Sequence, residues 1–148
     1  MSTGPLLRRL FFIFYERVFV EPIEYVDFVA RVEGGLDEPG SGEAEEALEA
    51  TLEALGECLS GGEAEDLASE LPSELAEPLT RAGGDPESLS LEEFFGRIAE
   101  KQGSGENLAE KHARAVLSVL GRAVDDGELS DIRSQLPKDF QPLLESEV

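Results

Sequence analysis

The feature that most constrains the fold is a near-repeat: SGGEAEDLASELPSEL, Ser60 to Leu75, is echoed by DDGELSDIRSQLPKDF, Asp125 to Phe140. At an offset of 65, Glu46 to Leu79 and Lys111 to Leu144 agree at 11 of 34 positions without a gap. The agreements are Ala50/Ala115, Leu52/Leu117, Leu55/Leu120, Gly56/Gly121, Gly62/Gly127, Glu63/Glu128, Asp66/Asp131, Ser69/Ser134, Leu71/Leu136, Pro72/Pro137 and Leu79/Leu144. Upstream, YVDFVARV (Tyr25 to Val32) lies over LEEFFGRI (Leu91 to Ile98) at an offset of 66, so the connecting loop absorbs one residue. Self-similarity of this kind marks two copies of one supersecondary unit, each with too little core of its own. The expected architecture is one all-α domain over 22–148, made of repeat 1 (22–84) and repeat 2 (85–148) around one shared core. Residues 1–21 stand apart as an N-terminal extension or extra helix.

Each copy reads as the same series of helices. A first helix carries Tyr25, Phe28, Val29 and Val32 on one face, matched by Leu91, Phe94, Phe95 and Ile98. Ser90 and Glu93 form a capping-box pair at the start of the second of these. Turn residues in GGLDEPGSG and KQGSGE then break the chain. A longer helix follows, with Ala44, Ala47, Leu48, Thr51, Leu52, Leu55 and Leu59 in one copy and Ala109, Ala113, Val116, Leu117, Leu120 and Val124 in the other. Asn107 with Glu110 resembles a cap for the latter. SGG and DDG are expected to end the long helices, because glycine accepts the positive φ of a C-terminal cap. Short amphipathic helices follow at Ala64 to Leu71 and Leu129 to Leu136, and Pro72 and Pro137 suit the first turn of the next.

These corners, in this order, resemble the family called domain of unknown function 2267. The likeness runs from Glu24 to about Leu144 and rests on the paired G-G-E-x-x-D-L-x-x-x-L-P and G-E-L-x-D-I-x-x-x-L-P stretches. It implies a compact, duplicated, all-helical domain without an established activity, and it carries over no catalytic residue. The first 20 residues depart from the pattern.

Charge bears on setting and partners. The chain holds 33 acidic residues against 12 Lys and Arg, a net charge of −21. Such a body repels itself in dilute buffer, whereas in molar salt the screening length falls to about 3 Å and the repulsion nearly vanishes. The composition points to the cytoplasm of a halophilic archaeon. Nucleic acid is excluded as a partner, since no basic stripe is present to neutralise phosphates. The basic, aromatic start, LRRLFFIFYERVFV, is broken by Glu16 and Arg17, lacks a cleavage site and is too short to span a bilayer. Resting on a membrane surface is the poorer reading of it, because its polar face is sparse.

The search for chemistry yields no catalytic residue, no metal ligand set and no cofactor site. His112 is the only histidine and matches Ala47 of the other copy, so it is expected at a helix surface or boundary. A Cys58/His112 dyad is disfavoured, because Cys58 sits near a helix C-terminus among Glu53, Glu57 and Glu63, which oppose a thiolate. A small buried cysteine is the better reading. Neither LDEPGSGEAEE nor DDGELSD has the spacing of a calcium loop. From Val32 to Thr80 there are 15 acidic residues and no basic one, while Lys111, Arg114 and Arg122 stand where the first copy has Glu46, Glu49 and Glu57. These charge-inverted long helices have two readings, drift on a solvated surface after duplication or a surface through which a protein partner or a second copy binds. The functional expectation is a non-enzymatic structural or interaction module adapted to high salt. The alternatives are a small-molecule or cation-binding protein with a pocket between the repeats, which Phe28, Phe94 and Phe95 would line, or a peripheral membrane protein held by its first 20 residues.

Overall fold

Helices form wherever the apolar residues recur at helical spacing, and their order follows from that pattern. The computed structural model describes residues 24–37, 40–82 and 85–144; the expectations for residues 1–21 lie outside them. Among the described residues the chain is all-helical, with no strand. The elements are α1 (Tyr25–Glu33), α2 (Glu43–Cys58), α3 (Gly61–Ala68), α4 (Ser73–Thr80), α5 (Leu91–Gln102), α6 (Glu106–Ala123), α7 (Asp126–Gln135), a 3-10 turn (Lys138–Phe140) and α8 (Gln141–Leu144).

The long helices α2 and α6 pack on each other and carry most of the rest. α2 also meets α1, α4 and α5, and α6 meets α1, α5 and α8, while α3 packs on α4 and α7. Their apolar stripes meet in one contiguous buried cluster, in which Leu52, Leu55, Leu67, Leu79, Phe94, Ile98, Leu117, Ile132, Phe140 and Leu144 are fully enclosed. The aromatic centre of this cluster is Phe94, set edge-on to Phe140 with ring centroids 5.0 Å apart. No described helix is long and apolar enough to cross a membrane.

Several local expectations are met. Ser90 Oγ accepts from the Glu93 amide while Glu93 Oε1 accepts from the Ser90 amide, a complete capping box for α5. Gly103, at φ 68°, closes that helix in the left-handed region that only glycine enters cheaply.

Others are corrected. The SGG and DDG stretches do not supply glycine caps to the long helices. Leu59 and Val124 end α2 and α6 in extended conformation, at φ −107° and −102°. Ser60 and Asp125 are instead the N-caps of α3 and α7, with Gly61, Gly62 and Gly127 inside the first helical turns. Asn107 and Glu110 do not cap α6, which starts earlier, at Glu106, behind Gly105. Pro72 and Pro137 stand one position before their helices, as extended N-cap residues.

Candidate functional site

The two corners quoted at the start of the sequence meet where α3 packs on α7. The Ser60 side chain accepts from the Glu63 amide (3.2 Å) and the Asp125 side chain accepts from the Glu128 amide (3.0 Å). In a full capping box the glutamate at the third helical position would reach back to the cap's own backbone N–H. Here that N–H is taken from across the seam. The Ser60 amide donates to Gln135 Oε1 (2.9 Å), and the Asp125 amide donates to Glu70 Oε1 (3.2 Å). Residues 70 and 135 are matched positions, as are 60 and 125, so the same exchange runs in both directions. Gln135 Nε2 adds a bond to Ser60 Oγ (3.3 Å).

Relieved of that duty, Glu63 and Glu128 face each other. One carboxylate oxygen from each, with one from Asp131, lies within 4.8 Å of the others. Glu63 Oε2 and Glu128 Oε2 are buried and accept no hydrogen bond from a protein group. Burial pushes the Glu128 carboxyl up to about 8, reinforced by the closeness of the Glu63 carboxyl and by repulsion from Glu63, Glu70 and Asp66. Glu70 is raised chiefly by burial, and Asp125 is lowered chiefly by the Glu128 amide that it accepts. Two facing carboxylates in partial burial do not both ionise readily, so the arrangement suits one positive charge between them, a proton or a hard cation.

A second polar cluster lies inside the fold. His112, expected at a helix surface or boundary, is buried, 1% exposed. Its Nε2 lies 2.7 Å from Glu43 Oε2 at the start of α2, and its Nδ1 lies 3.0 Å from Gln102 Oε1 at the end of α5. The ring therefore ties α2, α5 and α6 together. The correction was available in the sequence, because the matched Ala47 is itself a core residue. Cys58 is buried at the opposite end of α2 from Glu43, about 22 Å along the axis at 1.5 Å per residue. His112 is thus committed elsewhere and no dyad is assembled. Burial, then the neighbouring Glu57 carboxylate, pushes the Cys58 thiol up to about 12, which leaves it unreactive.

The aromatic trio does not line a shared pocket. Phe28 and Phe94 are core residues at 2% and 0% exposure. Phe95 reaches a shallow cleft with Ser90, Leu91 and Glu106, and the Arg114 guanidinium lies 5.8 Å from its ring centroid. The charge-inverted positions are largely engaged within the molecule. Glu57 pairs with Arg97 and with Lys101, each at 2.7 Å. Glu49 pairs with Arg81 at 3.4 Å, Lys111 with Asp37 at 2.7 Å and Arg114 with Glu110 at 2.8 Å. Glu46 and Arg122 remain exposed.

The facing glutamates are what sequence reasoning missed. Their one signal was identity at matched positions, which by itself does not say that the two equivalents touch. Comparison with known families gives a match over residues 25–143 to the model described as uncharacterized conserved protein, DUF2267. No curated protein matches the chain.

Proposed function

The chain belongs to the DUF2267 family of uncharacterized conserved proteins, and on that premise we propose that it is a non-enzymatic helical module, structural or protein-binding, that works in the salt-rich cytoplasm of a halophilic archaeon. The observation that carries this reading is where the cations go. Arg81 is clamped by Glu49, Glu53 and Glu77, Arg97 by Glu57 and Glu87, Lys101 by Glu53 and Glu57, and Lys111 by Asp37. These four basic side chains, among the few in the described residues, are spent on carboxylates of the same molecule. A chain of net charge −21 then relies on dissolved cations for screening.

The same reading takes the chain as two copies of one helical unit around a shared core. Matched geometry supports it. Caps at Ser60 and Asp125, extended ends at Leu59 and Val124, and extended prolines at 72 and 137 recur at one offset. A partner or a second copy would meet the long helices at the matched positions open to solvent, Glu46 on α2 and Arg122 on α6.

Thermal melts followed by circular dichroism in dilute buffer and in molar KCl test the salt reading. The melting temperature should rise with KCl. An unchanged value would overturn the adaptation to salt.

A further inference from the structure

The seam between α3 and α7 combines three features that an ordinary solvated acidic surface lacks. Glu63 and Glu128 each leave a buried carboxylate oxygen without a donor. Both residues stand at the third position of a capped helix, with their backbone amides bound by Ser60 and Asp125, so the two side chains start from fixed points on facing helices. The seam is also pinned by the reciprocal bonds Ser60 to Gln135 and Asp125 to Glu70. We propose that Glu63 and Glu128 share one proton across this seam, and that its loss in mild alkali loosens the contact between α3 and α7, making the joint pH-sensitive.

The surrounding groups favour the proton. From the α3 side Asp66 and Glu70 add negative charge, and from the α7 side Asp125 and Asp131 do the same. The basic group of α7, Arg133, makes no ion pair with these carboxylates; its Nη2 donates to the Leu144 carbonyl on α8 at 3.5 Å. On α4, which packs behind α3, Glu77 is held by Arg81 and Glu74 lies toward Tyr25. α8, the other neighbour of α7, brings Gln141, Pro142, Leu143 and Leu144, none of them titratable. With a proton between them the two carboxyls make a hydrogen bond. Without it, two buried negative charges oppose each other.

The direction of the pH effect follows from linkage. The folded chain holds this proton up to about pH 8, whereas an unfolded glutamate releases it near 4.5. The stabilisation is therefore complete below about 4.5 and is lost progressively as pH rises to about 8.

The test uses the full chain in molar KCl, where long-range repulsion is screened. Glutamate carboxyl carbons are followed by NMR across pH 4 to 10, with amide exchange at Ser60 and Asp125 measured in wild type and in Glu128→Gln, whose amide supplies a permanent donor to Glu63. One carboxyl of the pair should titrate near pH 8 in wild type. Above that pH the Ser60 and Asp125 amides should exchange several-fold faster in wild type than in Glu128→Gln, and at equal rates at pH 6. Both carboxyls titrating in the ordinary range below about 5.5 would overturn the shared proton, even if the variant failed to fold. So would a carboxyl midpoint driven down by added calcium or magnesium, which would make the joint a cation site. Exchange rates equal in the two proteins at all pH values would overturn the loosening.

Discussion

Thr51 and Val116 occupy matched positions on the long helices, and both are buried, at 0% and 1% exposure. They differ by one hydroxyl, and Thr51 Oγ1 has no hydrogen-bond partner. Burying an unsatisfied hydroxyl costs about 1–3 kcal/mol, and valine has nearly the same shape. Thr51→Val is therefore expected to stabilise the chain by about 1 kcal/mol, read as a higher urea midpoint with an unchanged slope. The same comparison across matched positions makes His112 legible, since its counterpart Ala47 is enclosed. What the sequence does not disclose is how an imidazole is satisfied there. Glu43 and Gln102 come from two other helices, and neither lies at a spacing that singles it out.

Among the elements, two joints bring backbones close together, where α4 crosses α2 and where α8 crosses α6. A Cβ on Gly56 would collide with the Leu79 carbonyl, and one on Gly121 would collide with the Leu144 carbonyl. Both glycines lie inside helices with ordinary φ, so their role is close approach of backbones rather than an unusual turn. Gly56→Ala and Gly121→Ala should each cost about 1–3 kcal/mol, as overpacking does, in thermal or urea unfolding. Gly62→Ala is the control. That position opens to space and sits in the first turn of α3, so alanine should be neutral or stabilising by up to about 1 kcal/mol. The helices themselves were readable from apolar spacing. The boundary between α2 and α3 was misread because a glycine after an apolar stripe fits two roles, C-terminal cap or first turn of the next helix. Ser60 with Glu63 and Asp125 with Glu128, a cap residue three before a glutamate, was the signal that decides between them.

At the scale of the whole molecule, the proposed duplication makes a claim about cooperativity. α2 packs on α5 and α6, α1 on α6, and α3 on α7, so each half covers apolar surface of the other. Residues 22–84 and 85–148 expressed separately in high salt should melt broadly or self-associate, and mixing them should restore one sharp transition by circular dichroism. A monomeric half with its own cooperative melt would overturn the shared core. The seam was only half legible in the sequence. Identity of Glu63 with Glu128 was visible, but residues meet their own equivalents only near an axis relating two copies, and one chain's sequence does not mark where such an axis passes. Cys58 has a different bearing on the same question. The chain's single thiol is enclosed between the halves' helices, 3% exposed and held in its protonated form. Alkylation in the native state can then proceed only through excursions that open the C-terminal end of α2, which makes its rate a clock for the opening of that joint, carried by the unaltered sequence and needing no introduced label.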